Sequence, residues 1–308
     1  MELSASNSSN ENEKSVSLEP EESSSHSFSQ DESQDNSSET VDEEIRIQIK
    51  KGDMLLGDYE VLTDAVYGGM GKVWHVHQKS KNRDLAMKQP QLRGTEERQN
   101  RQKEYFIKAH QNWIELGQHP DIVTCYEVTE IDGVPTAFSE WMEGGSLREK
   151  IHNSSLYESK GLWLNVLRTA IQMASGLEYA HSKDVLHCDI KPANVLFASD
   201  GTAKINDFSL ALFKNSDGCA PSGYTPQYCS KEQQEGQAID RKTDIYSCAL
   251  TVLEMFIGSR PWSTGPEVAE QPERYFAQCR IPMPDEMKNL LIRCLKGEVT
   301  DASFLRAA

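Results

Sequence analysis

A short stretch near the middle of the chain, residues 187–194, concentrates side chains that could catalyse group transfer. Asp189 could accept a proton from a hydroxyl nucleophile, because a positioned carboxylate can act as a general base. Lys191 could balance negative charge on a phosphate in transit, and Asn194 could hold a metal ion through its amide oxygen. Asp, Lys, Pro and Asn are also common turn residues, so a plain surface turn is the alternative for this stretch taken alone.

The neighbouring segments indicate how such a loop would be held. An apolar run at residues 195–197 predicts a strand that anchors the loop on one side. A helix is predicted over residues 162–181, and its expected buried face consists of Leu167, Ile171, Ala174, Leu177 and Tyr179. His181 on that helix is interpreted as a packing residue. A second carboxylate, Asp207, follows Asn194 by thirteen residues.

A glycine-rich stretch lies earlier, at residues 66–76, and includes Gly68, Gly69 and Gly71. Glycines let the backbone approach a phosphate chain without side-chain collision and point its amides at the oxygens. A plain glycine hairpin is the alternative. The strand that follows carries Lys88, which gives the glycines a cationic neighbour.

In order and spacing, these stretches resemble the motifs of eukaryotic-type Ser/Thr protein kinases, in the Gly-Gly-Met-Gly variant frequent in bacterial-type enzymes. The resemblance covers residues 53–300. It implies an α+β, bilobal protein-kinase fold. Residues 58–141 would form a five-stranded antiparallel lobe with one main helix, and residues 144–308 a mostly helical lobe. Residues 45–57 would be a linker.

The resemblance also implies that ATP and Mg²⁺ bind between the lobes. Lys88 would reach the α- and β-phosphates, and the backbones of Glu140 and Met142 would bind the adenine edge. Asn194 and Asp207 would hold magnesium. The full set expected to contact the nucleotide is Lys88, Gly68, Gly69, Gly71, Val73, Ala86, Glu140, Met142 and Leu196.

The implied activity is transfer of the ATP γ-phosphate to Ser or Thr of a protein substrate. Asp189 and Lys191 would act at the reacting hydroxyl, and Thr225 would contact both and help receive the acceptor. Cys188 occupies the position of the family's phosphate-binding arginine. Activity is therefore expected to be independent of phosphorylation in the activation segment, for which the candidate positions are Ser216, Ser222 and Thr225.

Other departures from the family pattern favour a different class of function, an ATP-binding pseudokinase that acts as a scaffold. The helix predicted over residues 96–116 has an apolar stripe of Phe106, Ala109, Trp113 and Leu116, and Ala109 falls where the family has a lysine-pairing glutamate. Either Glu104 or Asp207 pairs with Lys88, or Lys88 is unpaired. The remaining departures are Val66 for the first glycine, Ser209 in the third place of the magnesium motif, and no late arginine to pair with Glu232. A regulatory module within a larger polypeptide is a third alternative.

Charge is concentrated at the N-terminus. The chain of 308 residues has a net charge of −16, and residues 1–44 hold thirteen Asp or Glu and one Lys, a charge of −12. This segment also has fourteen serines and almost no large apolar side chains, so it is expected to be disordered. It is either a phosphorylatable regulatory tail with a partner of its own or a solvating spacer, and it is expected to be dispensable for catalysis.

The cysteines and the hydropathy pattern bear on location. Seven scattered cysteines without zinc spacing are typical of free thiols in a reducing compartment. No apolar run approaches the roughly 18–20 residues of a membrane helix, and no secretory signal is evident. We expect a cytoplasmic protein that binds neither membrane nor nucleic acid, since no basic face is indicated.

Overall fold

The computed structural model describes residues 48–68, 71–158, 162–213 and 223–302. The acidic segment 1–44, Gly69, Ser216 and Ser222 lie outside these residues. The helices are α1 Glu96–Leu116, α2 Leu147–His152, α3 Leu162–Ser182, α4 Lys231–Gln234, α5 Arg241–Ile257, α6 Gly265–Glu270, α7 Pro272–Phe276 and α8 Asp285–Leu295. The strands are β1 Met54–Leu55, β2 Tyr59–Val61, β3 Val66–Gly68, β4 Gly71–Gln78, β5 Arg83–Gln89, β6 Cys125–Ile131, β7 Val134–Glu140, β8 Val185–Leu186, β9 Val195–Phe197, β10 Ala203–Ile205 and β11 Leu212–Phe213.

The N-terminal lobe is an antiparallel sheet with the strand order β1-β2-β4-β5-β7-β6, and β3 also pairs with β4. Both β2 and β3 lie along β4, with Val61 opposite Val76 and Val66 opposite Val73. They are therefore two parts of one interrupted strand. The five predicted strands are confirmed in this sense, and the edge strand β1 is added from the segment expected to be a linker.

Helix α1 packs beside this sheet and begins where its sequence predicts. The Thr95 side chain caps it by accepting from the Arg98 N–H, and Glu96 and Glu97 occupy the first turn, where acidic groups favour the helix dipole. Its buried residues are Phe106, His110, Trp113 and Leu116. The predicted stripe was wrong at one position, because Ala109 is only half-buried and His110 occupies the buried place.

The C-terminal lobe is built around α5. Fifteen consecutive residues of α5, Thr243 to Ile257, are buried, as expected for a helix enclosed on every side. Helix α3 packs against α5, and Val166, Met173 and Leu177 of α3 lie in the same buried core. The predicted face of α3 was wrong at Ile171, whose side chain is 41% exposed.

A short connection after β7 joins the two lobes. Gly144 donates to the Phe197 carbonyl at 2.8 Å, and Phe197 donates to the Gly145 carbonyl at 2.9 Å. A Cβ atom on Gly144 would lie 2.7 Å from the Phe197 Cβ and 2.8 Å from its carbonyl oxygen, so only glycine allows this approach. The connection is thus fastened to β9, the strand that follows residues 187–194. Within the described residues, no helix combines the length and the apolar character needed to cross a membrane.

Candidate active site

The loop of residues 187–194 runs between β8 and β9 and is held from below by one carboxylate. Asp244, at the start of α5, accepts from the backbone N–H groups of His187 and Cys188, each at 2.8 Å, and from His181 Nε2 at 2.8 Å. Burial alone would raise the pKa of Asp244, but the hydrogen bond and charge of His181 and the backbone hydrogen bond from His187 outweigh burial and lower the pKa, so the carboxyl is ionised. His181 is therefore more than a packing residue, because it orients the group that shapes the loop.

Asp189 lies at the centre of the loop and is 4% exposed. Its Oδ1 accepts from the Thr225 hydroxyl at 2.6 Å, and its Oδ2 lies 2.7 Å from Lys191 Nζ and 3.0 Å from Asn194 Nδ2. Lys191 Nζ also donates to Thr225 Oγ1 at 2.7 Å. The structure thus brings together the three residues predicted to act at the acceptor, Asp189, Lys191 and Thr225, and places Asn194, a predicted magnesium ligand, against them. One oxygen of Asp189 already accepts from an alcohol.

His187 fixes the orientation of Asp189 from the other side. Its Nδ1 accepts from the Asp189 N–H at 3.2 Å, and its Nε2 donates to the Asn206 carbonyl at 2.9 Å. These two bonds require the neutral ring with the proton on Nε2. Its ring also contacts the edge of Phe208. Sequence reasoning did not assign this role, although the position of His187 at the head of the loop was a usable signal.

The β9–β10 hairpin brings the second carboxylate to this loop. Val195 pairs with Ile205, and the Asn206 N–H donates to the Asn194 carbonyl at 2.8 Å. Asp207 follows immediately, in the left-handed conformation with φ = 65°, which Asp tolerates better than most residues. The spacing of thirteen positions from Asn194 to Asp207 is therefore the length of one hairpin.

Lys88 on β5 forms an ion pair with Asp207, with 2.9 Å between Nζ and Oδ1. Burial opposes ionisation of Asp207, but the charge and hydrogen bond of Lys88, and a hydrogen bond from Ser209, outweigh it, and the pKa of Asp207 falls well below its usual range. Of the three alternatives for Lys88, the pairing with Asp207 is the one present, and Glu104 is exposed on α1. Helix α1 is linked to the same turn by the Tyr105 hydroxyl, which donates to the Ser209 carbonyl at 2.7 Å.

The glycine stretch forms the β3–β4 hairpin above Lys88. Gly68 pairs with Gly71, and Val73 pairs with Lys88. A Cβ atom on Gly71 would lie 2.1 Å from the Gln89 carbonyl oxygen, so glycine is required there by close approach of β5. Gly69 is outside the described residues.

The other predicted nucleotide contacts line the join between the lobes. Ala86 on β5 pairs with Ser139 on β7, and Leu196 on β9 forms a bridge with Ser146. The Glu140 N–H donates to the Thr124 carbonyl at 2.8 Å, which leaves the Glu140 carbonyl as its candidate group for adenine.

Side chains of the connection are also tied to both lobes. Glu140 pairs with Lys204 on β10 at 2.6 Å. Met142 is buried in the core of the C-terminal lobe. Trp141 stacks on His75 of β4, with 3.9 Å between the ring centroids and an interplanar angle of 4°.

Helix α4 closes the segment that contains Thr225. Gln233 is 2% exposed, exchanges capping hydrogen bonds with Ser230, and donates to the Cys188 carbonyl at 2.8 Å. Glu232, which the resemblance matched to the glutamate that pairs with a late arginine in the family, is exposed. The contact between this segment and the catalytic loop is therefore made by a neutral amide one residue later, and no arginine is needed to balance it.

Cys188 itself is 2% exposed, with its Sγ 3.7 Å from the Leu186 carbonyl oxygen. Burial, and then the negative charge of Asp244, raise the pKa of its thiol above the usual range. A buried thiol that stays protonated is a poor nucleophile, so Cys188 is chemically inert. It also cannot bind a phosphate as an arginine would.

The oxygen donors of the site fit magnesium. The ionised Asp207 and the Asn194 amide lie on neighbouring ends of one hairpin, and Mg²⁺ prefers hard oxygen ligands. Among the described residues, no group of three or more His, Cys, Asp or Glu could hold a metal ion. Such a group is not required, because Mg²⁺ commonly binds through one or two protein ligands together with substrate phosphates.

Comparison with known proteins agrees with this geometry. The protein kinase domain family matches residues 59–301. A probable serine/threonine-protein kinase of Streptomyces coelicolor is 33% identical over 289 residues, covering 82% of this chain and 42% of that protein. The serine/threonine-protein kinase PrkC of Bacillus subtilis is 29% identical over 215 residues, covering 68% of this chain and 32% of that protein. The serine/threonine-protein kinase PknB of Mycobacterium tuberculosis is 29% identical over 215 residues, covering 67% of this chain and 33% of that protein. The chain spans less than half the length of these relatives, and its matched region takes in both lobes and every motif described above: it belongs to the protein kinase domain family.

Proposed function

We propose that the chain is a protein serine/threonine kinase that transfers the ATP γ-phosphate to a Ser or Thr of a protein substrate. The observation that carries this proposal is a pair of side-chain clusters at the two ends of the β9–β10 hairpin, completed by Thr225 and by Lys88 on β5. Asp189, Lys191 and Thr225 form a hydroxyl-accepting cluster, and Lys88 and Asp207 form a phosphate- and metal-binding cluster. Phosphoryl transfer needs positioning and charge balance, and these five side chains supply both.

Each residue has a role that follows from its contacts. Lys88 binds the α- and β-phosphates and fixes the nucleotide against β5. Asp189 accepts a hydrogen bond from the acceptor hydroxyl at Oδ1, the oxygen that accepts from Thr225, and so aims the hydroxyl oxygen at the terminal phosphorus. Lys191 lies 2.7 Å from Asp189 and supplies positive charge where the phosphoryl group passes.

Asn194 and Asp207 are the residues that would hold magnesium, whose charge offsets that of the β- and γ-phosphates when it is bound. Gly68, Gly69 and Gly71 would cover the phosphates, while Val73, Ala86 and Leu196 would enclose the adenine between the lobes. The register of β4, β5 and β7 supports this arrangement, because it sets Val73 beside Lys88 and Ala86 beside the start of the connection.

Activity is proposed to be independent of activation-segment phosphorylation and to occur in the cytoplasm. The first proposal is supported by Cys188, a buried neutral group where a phosphate receptor would be needed, and by Gln233, which already fastens the segment to the loop. The second is supported by the six cysteines that the structure describes, all of which are free thiols. The acidic segment 1–44 is proposed as a tail separate from the two-lobed unit.

The alternative is an ATP-binding pseudokinase that acts as a scaffold or regulatory module. Two observations favour it: Lys88 is paired with Asp207, and α1 has Ala109 where the family has a lysine-pairing glutamate. Both functions require nucleotide binding, so only a measurement of phosphoryl transfer distinguishes the kinase from the scaffold.

The test is incubation of the full chain with labelled ATP, Mg²⁺ and a generic Ser/Thr protein acceptor, beside Asp189→Asn. We expect the wild type to label the acceptor and Asp189→Asn to lose at least about 100-fold in rate, because the general base contributes roughly that much, while ATP affinity is retained. Asp132→Asn is the matched control, since Asp132 is exposed and its positive φ suits asparagine. Equal background labelling by wild type and Asp189→Asn would support the scaffold function.

A separate test addresses phosphorylation. Pretreatment of the wild-type chain with a phosphatase should leave its transfer rate within about twofold of the untreated rate, and a larger loss would contradict independence from phosphorylation.

A further inference from the structure

Helix α1 carries a buried imidazole with an unused nitrogen. His110 is 1% exposed, and its Nδ1 lies 2.8 Å from the Phe106 carbonyl oxygen. A carbonyl only accepts, so Nδ1 carries the proton and Nε2 of the neutral ring has a free lone pair. Nε2 has no hydrogen-bond partner in the described part of the chain. A buried acceptor without a partner is costly, and in a native protein it calls for an explanation, of which a functional role is one.

The surroundings keep this ring neutral. Burial, and then the positive charge of Lys88, lower the pKa of His110 to about 4. At neutral pH the ring is therefore an acceptor at Nε2. The ring is also held firmly, because it packs 3.9 Å from the Phe106 ring, measured between centroids.

His110 lies next to the cationic group that lacks its usual partner. Lys88, Phe106, Ala109, His110 and Ser209 line one cavity of about 450 Å³ between α1, β5 and the turn after Asp207. Ala109 presents only a methyl group to this cavity. The residue that follows it on the helix is the buried imidazole.

Lys88 has one described partner, Asp207, at 2.9 Å. The same carboxylate is the strongest candidate for magnesium in the site. When Asp207 turns to the metal and nucleotide, the Lys88 ammonium needs a second acceptor to hold it in place, since three N–H groups are then to be satisfied in a half-buried position. Glu104 is exposed on α1 and does not line the cavity.

We propose that His110 Nε2 is this second acceptor, and that His110 is a positioning residue for Lys88 in the nucleotide-bound enzyme. The inference rests on the proposed nucleotide-dependent function. When the nucleotide binds, the Lys88 ammonium leaves Asp207 and donates a hydrogen bond to His110 Nε2. This bond keeps the ammonium directed at the phosphates. A neutral imidazole one residue along the helix thus replaces the missing carboxylate.

Two variants separate the acceptor from the packing role. In His110→Asn the amide can keep the bond that Nδ1 makes to the Phe106 carbonyl but does not reach the position of Nε2, whereas His110→Gln extends a polar group to that position. Calorimetry with Mg-ADP on the full chain should show about tenfold weaker binding for His110→Asn, since a hydrogen bond to a charged group is lost, and binding within about twofold of wild type for His110→Gln. The melting temperatures of both variants, compared with that of the wild type, serve as the control for an intact fold.

A rescue experiment gives the sharper readout. His110→Phe keeps an aromatic ring against Phe106 and removes both nitrogens, and adding Ala109→Glu supplies a carboxylate to the same cavity. We expect the single variant to lose both Mg-ADP affinity and kcat, and the double variant to recover most of each. A merely structural role of His110 would not be repaired by a carboxylate at position 109.

Unchanged Mg-ADP affinity and kcat in His110→Asn, or no recovery in the double variant at a wild-type melting temperature, would overturn the inference. If His110→Phe melts early, the comparison of His110→Asn with His110→Gln decides alone. Failure of the proposed function looks different: the wild type would bind Mg-ADP but transfer no phosphate, and the affinity comparison would still test His110.

Discussion

The Asp244 carboxylate lies inside the C-terminal lobe, yet it determines the backbone path of the loop that carries Asp189. Two consecutive N–H groups point at it because Cys188 adopts the left-handed conformation, with φ = 67°. A non-glycine residue in this conformation is strained by roughly 1 kcal/mol, and the two charge-assisted hydrogen bonds from the loop offset that cost. The buried Asp244 carboxylate therefore holds the loop backbone in the conformation that positions Asp189.

Asp244→Asn is expected to destabilise the protein by about 3 kcal/mol at pH 7, because an amide cannot accept from His181 and both N–H groups at once. The pKa of Asp244 is depressed in the folded state, so its contribution is present above the unfolded pKa of about 4 and is lost as the pH falls through the folded value. The gap in unfolding free energy between wild type and variant should therefore stay constant from pH 7 down to about pH 4.5 and narrow only below about pH 4 in urea denaturation. Asp132→Asn should track the wild type throughout, and a gap that widens in acid would contradict the assignment.

Element by element, the site depends on pairings between segments that are distant along the chain. The β9–β10 hairpin sets Asn194 beside Asp207, α5 supplies Asp244, and α4 fastens the segment of Thr225 to the loop through Gln233. The short helix α4 has a reciprocal cap, in which Ser230 and Gln233 each accept from the other's backbone N–H. Gln233 thus stabilises its own helix with its oxygen and the catalytic loop with its nitrogen.

Replacing Gln233 by methionine keeps the length of the side chain and removes both contacts. We expect a loss of 1–3 kcal/mol in unfolding free energy, approximately, since the buried Cys188 carbonyl loses its donor. Glu232→Gln is the matched control one residue earlier on an exposed position, and its effect should stay within about 0.5 kcal/mol. Chemical denaturation of the two variants measures both values, and a larger effect at Glu232 than at Gln233 would reverse our assignment of the buried residue.

Several of these contacts could be predicted from the sequence and others could not. Asp189, Asn194, Asp207 and Lys88 could be predicted because their order and spacing resemble the motifs of one known family. The choice between Glu232 and Gln233 depends on the phase of a four-residue helix, and one residue rotates a side chain by about 100°.

The partner of Lys88 depends on how two lobes meet, which a local pattern does not contain. The exposure of Ile171 could not be predicted either, because its position in the apolar pattern of α3 placed it in the core. The burial of His110 depends on how α1 packs, which the local pattern also does not contain.

At the scale of the whole molecule, charge is divided unevenly. Residues 1–44 carry −12 of the net −16, which leaves the two-lobed unit with only a small negative charge. The unit has its own cores, one in each lobe, and all the residues of the site lie in it. Catalysis should therefore depend on the lobes, and the acidic segment should act on solubility or on a regulatory partner.

Deletion of residues 1–44 is expected to leave the rate of phosphoryl transfer within about twofold of the full chain, because no residue of the proposed mechanism is removed. The same labelled-ATP assay measures it, and the melting temperature of both forms serves as the control for folding. Loss of transfer in the shortened form at an unchanged melting temperature would show that the segment takes part in the reaction.

The stacking of Trp141 on His75 has a practical consequence. It places an indole of the interlobe connection face to face with an imidazole of β4, at 3.9 Å. The emission of an indole depends on what its ring contacts, so the fluorescence of Trp141 should change when the connection moves away from β4. The molecule therefore contains its own optical reporter of opening and closing, which can be followed in real time without any attached dye.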